Sequence, residues 1–528
     1  MMEFKSPPQS RDQLILFPQK LDQIIASDHT VRLFDDVLRG IDWSKWEAAY
    51  DLQRGQPPIH PRVLASAILY GLLNRIRTSR ALEEALQVRN DFRWLVQGES
   101  IDHTTLSSFR QKNSATLKDL FVQIVLVARQ LGHLPLASLG FDGTRIRANN
   151  RRSGTKTPEE LRRAKIELAA KFAELEAKTA SSDAADNEAL GQAASHQLDK
   201  DLADVNRRRK KVDAALAELA KIEADGLKIP SRLPITDPQS RVSPNKEGGF
   251  APNYTPTATV DIDSGLIVSV DVISGTDEAR HMIAAVQDVQ QSFGLASPPK
   301  QLLADGMMST GENLSTCQEL GIDLYSPIKL GNSRDNPAVR PDGSVPVASA
   351  DIDRLPVTTT KQKDGSKATT FNKDAFIYDA GKNCYWCPAG KALTHSSTSH
   401  VTSRGRSCVC LRFAPQRQDC AACPLASRCL TGKSQVRRIS HEQHESLRIA
   451  HAVKMNQQAS KDKYAQRRHP GERPFATIKQ QFGARSFLTR GLDKVRNEWL
   501  WLSSAFNLHR LMSLIQSNQP PPTIVTTS

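Results

Sequence analysis

Residues 137–150 read ASLGFDGTRIRANN, and this stretch places an acid, Asp142, inside a run with the chemistry of a β-strand. Leu139 and Phe141 are apolar, and Gly140 allows a neighbouring backbone to approach closely. A carboxylate on a buried strand is costly unless a cation neutralises it or its pKa rises. The alternative is a hairpin that turns at Asp142-Gly143, since Asp-Gly is a strong turn signal. The stretch alone favours the hairpin, whereas the segments that follow favour the strand.

The overall composition indicates a globular protein with an anionic partner. A chain of 528 residues exceeds one hydrophobic core, so about two to four structural units are expected. The net charge of +14 favours nucleic acid over a membrane surface as the partner. No apolar run approaches the roughly 18 residues of a membrane-spanning helix. The first ten residues, MMEFKSPPQS, lack the apolar core of a signal peptide, so we expect a cytoplasmic protein.

The first third of the chain has helical periodicity from residue 28 to residue 131. One helix is expected to begin at His60-Pro61, and another near Asp102 or Thr104. Four arginines in this region are predicted DNA contacts of a helix-turn-helix module: Arg75, Arg77, Arg80 and Arg110. The alternative is a helical packing domain whose basic residues are merely solvated.

Residues 157–226 are rich in Ala, Glu, Lys, Leu and Arg, which predicts an antiparallel helical hairpin inserted into another domain. A free charged coil is the alternative. The basic run RRRKK at 207–211 is read as a solvated helix face, or as a phosphate contact beside a DNA enzyme.

From residue 253 the apolar period drops to two. Residues 254–261 and 266–273 alternate around Asp263-Ser264-Gly265, which predicts a β-hairpin. A helix is expected over 278–293, followed by a short strand, QLLA at 301–304, that ends at Asp305-Gly306. This alternation predicts a mixed sheet covered by helices.

Residues 336–440 are turn-rich and β-leaning, and they contain seven of the eight cysteines. Two CxxC pairs suggest a structural Zn²⁺ held by four thiolates: Cys384, Cys387, Cys420 and Cys423. Cys429 follows closely and is a substitute ligand, while Cys408 and Cys410 are rivals. Reduced cysteines without a metal are the alternative. Tyr385 and Trp386 are read as core residues, or else as platforms for base stacking.

The last third of the chain is again helical. Pro474 is expected in the first turn of a helix, so Glu472 should lie at that helix's beginning and Lys479 about two turns later. A final amphipathic helix is expected over residues 494–514.

Three acids separated by long insertions have a chemical reason to converge: Asp142, Asp305 and Glu472. Phosphodiester transfer uses two divalent cations about 3.5–4 Å apart, and Mg²⁺ prefers carboxylate oxygens. Asp142 and Asp305 have an alternative role as turn formers, because each precedes a glycine. The alternative role of Glu472 is to stabilise the helix dipole near the start of its helix. In that case Glu498 would replace it as the third acid of the metal site. Three other acids are read as turn or surface residues: Asp261, Asp263 and Asp271.

The blocks FDGTRIRAN (141–149), LLADGMMS (302–309) and RRHPGERPFATIKQQFGARSF (467–487) resemble the three acidic motifs of bacterial DDE insertion-sequence transposases. HPRVLASAILYGLLNRIRTSRALEEA (60–85) is similar to that group's amino-terminal domain, and the likeness spans about residues 15–515. It implies that the three acids hold catalytic metal, Mg²⁺ or Mn²⁺, with Arg468 and Lys479 near transposon-end DNA. The chain departs from the group's signature at its tyrosine, since Ala465 stands there and Tyr464 lies one residue early.

The resemblance implies an α/β fold, an RNase H-like mixed sheet with a helical N-terminal domain and two insertions, one a helical hairpin and one β-rich. The expected segments are a DNA-binding domain (13–134), a catalytic core (135–156 and 228–335), the helical hairpin (157–227), the β-rich insertion (336–440), the C-terminal catalytic helices (441–516) and a disordered tail (517–528).

The predicted function is metal-dependent strand cleavage and strand transfer at the terminal inverted repeats of an insertion sequence. The expected partners are the double-stranded DNA of transposon ends and target, with a homodimer on the DNA, no membrane contact and a place at the bacterial nucleoid. A nuclease of the same fold and a transposase-derived DNA-binding regulator are the alternatives.

Overall fold

The computed structural model describes residues 20–50, 57–151, 154–185, 192–245, 248–328, 336–361, 367–403, 406–430 and 434–517. The fold is mixed α/β, as the sequence predicts. Residues 13–19 of the predicted N-terminal domain lie outside the described residues, as does the predicted tail beyond Ser517. No helix among the described residues is long and apolar enough to cross a membrane.

The chain divides into two compact units. The first contains the residues up to Leu134, Pro474–Arg485 and the residues from Asp493 onward. The second contains Pro135–Arg473 and Ser486–Leu492. The predicted segment 441–516 is therefore divided between the two units.

The first unit is helical. Its first seven helices are α1 (Thr30–Arg39), α2 (Ser44–Glu47), α3 (Pro61–Leu73), α4 (Ser79–Val88), α5 (Asn90–Leu95), α6 (His103–Lys112) and α7 (Ser114–Gln130). The local signals operate as predicted, since His60 caps α3 with Pro61 in its first turn. Asp102 caps α6 by accepting hydrogen bonds from the amides of Thr104 and Thr105 at 2.8 and 2.9 Å.

The second unit is built on a mixed sheet. The strands up to Tyr325 are β1 (Ser138–Gly143), β2 (Ile146–Arg147), β3 (Thr155–Lys156), β4 (Leu233–Pro234), β5 (Arg241–Pro244), β6 (Phe250–Asp261), β7 (Ile267–Ile273), β8 (Gln301–Ala304) and β9 (Asp323–Tyr325). The strand order is β2-β6-β1-β8-β9, and β5 and β7 also pair with β6. β1 runs antiparallel to β6 and parallel to β8, which gives it a hydrogen-bonded neighbour on each side.

The strand interpretation of Asp142 is correct and the hairpin alternative is wrong. β1 and β2 do not pair with each other; both pair with β6, β1 along Thr257–Asp261 and β2 at Asn253 and Tyr254. The amide of Thr144 donates to the carbonyl of Pro256 at 2.9 Å, so the chain continues along the same partner after Gly143. Asp142 therefore lies within an interior strand of the sheet.

The predicted helical hairpin consists of α8 (Pro158–Ala185) and α9 (Gln192–Ala224), and it leaves the core between the paired strands β3 and β4. The two helices are antiparallel, because Leu161 near the start of α8 packs with Ile222 near the end of α9. The basic run at 207–211 takes part in the packing of the hairpin, because the guanidinium of Arg209 lies over the ring of Phe172. The hairpin thus has a small hydrophobic core of its own.

Two helices of the second unit surround the end of β8. The segment after β7 forms a 3₁₀ turn, Glu278–Arg280, followed by α10 (Met282–Ser292), where the sequence predicts one continuous helix. α11 (Gly311–Glu319) follows the turn after Asp305.

The β-rich insertion is confirmed as β structure. Its elements are β10 (Val357–Lys361), β11 (Lys367–Phe371), β12 (Ile377–Asp379), β13 (Cys384–Trp386), β14 (Ala392–Ser403), β15 (Arg406–Ala414), α12 (Arg417–Ala421), α13 (Ala426–Cys429) and β16 (Ile439–Glu442). β12 to β16 form an antiparallel meander. Tyr385 is buried in its core, and its hydroxyl lies 2.9 Å from Nδ1 of His441, which makes it a core residue and not a stacking platform.

The C-terminal helices are α14 (Glu445–Asn456), α15 (Gln458–Ala465), α16 (Arg468–Ala476) and α17 (Leu492–Ser517), with a π-helical segment, Thr477–Gln481, after α16. The expectation that Glu472 begins its helix is wrong, because α16 begins at Arg468 and Pro474 lies inside it. Proline has no amide hydrogen to donate within a helix, and the wider π turn follows directly after it.

We expect Leu161→Ala to lower the free energy of unfolding by about 2–4 kcal/mol, because Leu161 is fully buried in the hairpin core and truncation leaves a cavity. Ile166→Ala on the same helix is the matched control, and it should change stability by less than about 0.5 kcal/mol, since Ile166 is 71% exposed. Urea unfolding measures both. Equal effects of the two substitutions would contradict the packing of α8 on α9.

Candidate active site

Two of the predicted acids lie at matching positions of neighbouring parallel strands. The pairing of β1 with β8 ends at Phe141 opposite Ala304. Asp142 is the next residue of β1, and Asp305 is the first residue after β8. Side chains at matching positions of adjacent parallel strands point to the same face, about 4.8 Å apart along the sheet. The sheet itself therefore brings together two residues that the sequence separates by long insertions.

The turn at Asp305 is fixed by close backbone packing. The Asp305 side chain caps the 3₁₀ turn Gly306–Met308. The backbone carbonyl of Asp305 accepts a hydrogen bond from Ser326 Oγ at 2.6 Å. A Cβ atom on Gly306 would lie 2.7 Å from the carbonyl oxygen of Pro327. Gly306 is required here because this close approach leaves no room for a side chain.

Asp142 is held by an arginine that precedes α16. Nη2 of Arg467 lies 2.9 Å from Oδ2 of Asp142, and the two side chains are only 12% and 19% exposed. Burial raises the pKa of the Asp142 carboxyl, and the neighbouring Arg467 cation opposes that rise. The Nε of Arg467 is buried without a hydrogen-bond partner. The sequence argument singled out Arg468, whereas the residue that contacts Asp142 is its neighbour.

The third predicted acid also acts on Asp142. The negative charges of Asp305 and Glu472 both raise the pKa of the Asp142 carboxyl, which means that both lie within electrostatic range of it. Glu472 is exposed on α16, as is Arg468. Lys479 lies in the π-helical segment and is half-buried.

A fourth acid, Glu278, lies beside this group, and the sequence argument did not identify it. A Cβ atom on Gly143 would lie 2.4 Å from Oε2 of Glu278, so this side chain occupies the space next to Asp142. Burial, together with the negative charges of Asp142 and Asp305, raises the pKa of Glu278 to about 7. An acid near the start of a helix commonly stabilises the helix dipole. No local sequence pattern distinguishes Glu278 from acids with that ordinary role.

The donor atoms of this cluster suit a hard divalent cation. Asp142, Asp305, Glu472 and Glu278 offer carboxylate oxygens. Burial and the repulsion between these acids raise the pKa of Asp142 and Glu278, and a bound cation would relieve that repulsion. Among the described residues, no group of three or more His, Cys, Asp or Glu side chains is already arranged to hold a metal ion. The charge and the donor atoms of the cluster therefore fit a metal ion without forming a closed ligand set.

The predicted DNA-contacting arginines of the first unit have different environments. Arg77 forms an ion pair with Glu498 at 2.8 Å, with both side chains mostly buried. The Arg110 guanidinium donates to the Arg77 carbonyl, and its Nε and Nη2 are buried without hydrogen-bond partners. Neither is presented to solvent, so the structure assigns Arg77 and Arg110 to internal packing. Glu498, the substitute third acid, is likewise used by this ion pair.

Arg75 and Arg80 are both exposed. Arg75 donates hydrogen bonds to the carbonyl groups of Gln480 and Gln481 at 2.7 and 2.6 Å. Arg80 lines an open groove between the starts of α4 and α6, together with hydroxyl and imidazole groups: Thr78, Ser79, His103, Thr104, Ser107 and Ser108. Among the predicted contacts of the first unit, Arg80 has the surroundings that best suit a phosphate.

The cysteines group differently from the predicted zinc ligands. Cys387, Cys420 and Cys423 line one cavity of the β-rich insertion, and the fourth cysteine there is Cys429. Cys384 is buried within β13 and is not among the residues that line this cavity, so its role as a zinc ligand stays a prediction. The described residues contain no disulfide bond.

Two family models match parts of the chain. The family described as Transposase domain (DUF772) matches residues 19–112, and the family described as Transposase DDE domain matches residues 386–512. The second match contains Arg467, Glu472 and Lys479, whereas Asp142 and Asp305 lie outside it. No curated protein sequence matches the chain at a significant level.

The raised pKa of Glu278 predicts how stability depends on pH. Between its ordinary value of 4.5 and its folded value of about 7, the unfolded chain releases this proton while the folded chain keeps it. The free energy of unfolding therefore falls as pH rises through this window. Glu278→Gln should remove that loss, so the variant should exceed the wild type by on the order of 2 kcal/mol at pH 8 and by little near pH 5.

Chemical unfolding at pH 5, 6, 7 and 8 in the presence of a chelator measures this difference. Glu312→Gln is the matched control, because Glu312 is exposed on α11. A stability difference that stays constant from pH 5 to pH 8 would count against the buried position of Glu278.

Proposed function

Because the chain belongs to the DDE-type insertion-sequence transposases, we propose that it cuts DNA at the terminal inverted repeats of an insertion sequence. In the proposed reaction water attacks a phosphorus at the transposon end, and the bond from that phosphorus to O3′ breaks. The freed 3′-hydroxyl of the transposon end then attacks a phosphorus of the target DNA. The O3′ atom of the neighbouring target nucleotide leaves, and the transposon strand is joined to the target strand. A transposase acts on DNA, which agrees with the chain's net charge of +14.

Asp142, Asp305 and Glu472 are the proposed metal-holding residues of an RNase H-like core. The observation that carries this proposal is the position of Asp142 on an interior strand, where two other acids raise its pKa. DDE transposases generally use divalent metal ions. A bound pair of Mg²⁺ or Mn²⁺ ions supplies activation of the attacking oxygen and charge stabilisation at the leaving oxygen. The mixed sheet covered by helices agrees with the proposed core.

Arg467 is proposed as the positioning residue for Asp142. Its ion pair restricts the rotamer of the carboxylate and offsets part of the repulsion from the neighbouring acids. Arg468 and Lys479 are proposed contacts of the transposon end, because Arg468 is exposed four residues before Glu472 on the same helix. Arg80 is the proposed phosphate contact in the first unit.

Asp142→Asn keeps the size of the side chain and removes its charge. We expect strand cleavage and strand joining to fall by several orders of magnitude, because the proposed metals supply both nucleophile activation and charge stabilisation. DNA affinity should change little. Asp263→Asn, an exposed acid in the turn between β6 and β7, is the matched control and should retain activity. A Mg²⁺-dependent assay on transposon-end DNA measures cleavage and joining separately.

Normal cleavage by Asp142→Asn would overturn the site. Cleavage without joining by the wild type, under conditions where target DNA is present, would favour the nuclease alternative.

Arg468→Ala should weaken DNA binding and leave the acids intact. If Arg468 neutralises one phosphate, the slope of log Kobs against log salt should fall in magnitude by about one unit. Arg163→Ala, an exposed arginine on α8, is the control for the general effect of lost charge. Fluorescence anisotropy across a salt series measures both slopes, and an unchanged slope for Arg468→Ala would remove this residue from the DNA interface.

A further inference from the structure

Four cysteine side chains of the β-rich insertion line a single cavity: Cys387, Cys420, Cys423 and Cys429. The first lies directly after β13, and the other three lie in the segment that contains α12 and α13. The rest of the wall is mainly apolar, with Phe371 and Leu393 from the core of the insertion. Cysteines from two distant parts of the chain therefore line one cavity.

The turn at Cys387 is built around its sulfur. The amide of Lys391 donates to Sγ of Cys387 at 3.3 Å, and the amide of Ala389 also donates to it. The Cys387 amide in turn donates to the Lys391 carbonyl at 2.9 Å, which closes a tight loop. Gly390 has φ +75°, and a Cβ there would lie 2.3 Å from the Ser344 carbonyl oxygen, so the loop requires glycine. Burial raises the pKa of the Cys387 thiol, and these two amide donors oppose that rise.

The other three cysteines come from a short, tightly turned segment. The Cys423 amide donates to the Cys420 carbonyl at 3.3 Å, and the Ala426 amide donates to the Cys423 carbonyl at 3.1 Å. α13 then ends at Cys429, whose carbonyl accepts a hydrogen bond from Arg437 Nη1 at 3.2 Å. The thiol of Cys429 interacts electrostatically with those of Cys387, Cys420 and Cys423, so all four lie within range of one another.

A cation, Arg437, lies at the same cavity. Its Nη2 donates to the Phe371 carbonyl at 2.8 Å, while its Nε is buried without a hydrogen-bond partner. Arg437 is half-buried, and its described hydrogen bonds are to carbonyl groups and not to a carboxylate. Four thiolates around a divalent cation carry a net charge of −2, and a neighbouring arginine offsets part of that charge. Arg437 is thus placed to compensate an anionic centre.

We propose that Cys387, Cys420, Cys423 and Cys429 bind one structural Zn²⁺ as thiolates, with Arg437 beside the site. Four sulfur ligands satisfy the tetrahedral preference of zinc at Zn–S distances of about 2.3 Å, and they exclude the hard cations that prefer oxygen. The described side chains surround the cavity without already forming a closed ligand set, so binding draws the sulfurs inward. The four protons pass to solvent, and no electron is transferred.

The proposed ion would add a link between the turn after β13 and the segment that contains α12 and α13. α12 and α13 are helices of five and four residues, too short to be stable alone. Leu425 and Cys429 pack against the core of the insertion and are only partly buried there. A zinc ion bound to Cys387 on one side and to this segment on the other would fix it against the β-sheet.

Metal content of the purified full chain tests the proposal. We expect about one zinc per chain by mass spectrometry, with loss of zinc in Cys429→Ser and retention in Cys384→Ser and Cys410→Ser. The two control cysteines lie on β13 and β15 and do not line the cavity. A wild type with less than about one-fifth of a zinc per chain would overturn the proposal, as would loss of zinc in Cys384→Ser with retention in Cys429→Ser.

A second measurement covers the case in which Cys429→Ser fails to fold. X-ray absorption at the zinc edge of the wild type should give four sulfur neighbours at about 2.3 Å. Cys429→His keeps a zinc ligand at this position and should show three sulfur neighbours and one nitrogen. Nitrogen or oxygen neighbours in the wild type would reject the four-thiolate assignment. Because no DNA is involved, neither outcome bears on the proposed transposase activity.

Discussion

The ion pair between Asp142 and Arg467 is the interaction on which the candidate site depends. β1 has a hydrogen-bonded strand on each side, so Asp142 cannot move to solvent without disrupting the sheet. A buried carboxylate of this kind needs a compensating charge, and removal of one partner from such a pair usually costs about 3–5 kcal/mol. Arg467 supplies that charge from the turn before α16. A second contact ties the same parts of the chain together, since Nζ of Lys463 lies 3.1 Å from Oγ of Ser138. The position of α16, and with it that of Glu472, follows from these contacts.

The positive charges of Arg467 and Arg145 oppose the raised pKa values of this acid cluster without cancelling them. Asp305, Glu472 and Glu278 all lie within electrostatic range of the ion pair, and burial raises the pKa of both Asp142 and Glu278. The folded chain therefore stores electrostatic repulsion at the end of β1 and β8. Proteins accept such local instability where function requires it, and here a divalent cation is the partner that would convert repulsion into binding energy. The raised pKa of Glu278 also means that protons compete with a cation for this site near neutral pH.

The sequence predicted the elements better than it predicted the contacts between them. Period-two alternation located β6 and β7, and the QLLA strand is found at its expected bounds, because alternation and turn residues are local properties. Arg467 and Glu278 were not assigned their roles, and Cys429 was assigned only as a substitute zinc ligand, because each role depends on tertiary packing. Arg467 and Arg468 are adjacent and chemically identical, and only the start of α16 decides which one reaches Asp142. Cys384 and Cys387 form a CxxC pair, yet β13 holds the first inside the sheet and releases the second into a turn. Proline commonly occupies the first turn of a helix, and the sequence therefore predicted a helix start at Pro474. In the structure Pro474 lies inside α16, and the π-helical segment follows that helix.

The two proposed metal sites differ in their donor atoms, and this difference determines which cation each site binds. The acids at the end of β1 and β8 offer only oxygen, which suits Mg²⁺ or Mn²⁺, while the cavity of the β-rich insertion offers four sulfurs, which suit zinc. The two clusters share no residue, and their elements belong to different sheets of the second unit. Zinc bound in the sulfur cavity would be held too tightly to exchange with the hard cations of the acid cluster. A chain that must fold its insertion around one metal and perform phosphoryl transfer with another needs this chemical separation, because zinc in the carboxylate site would compete with the proposed catalytic ions.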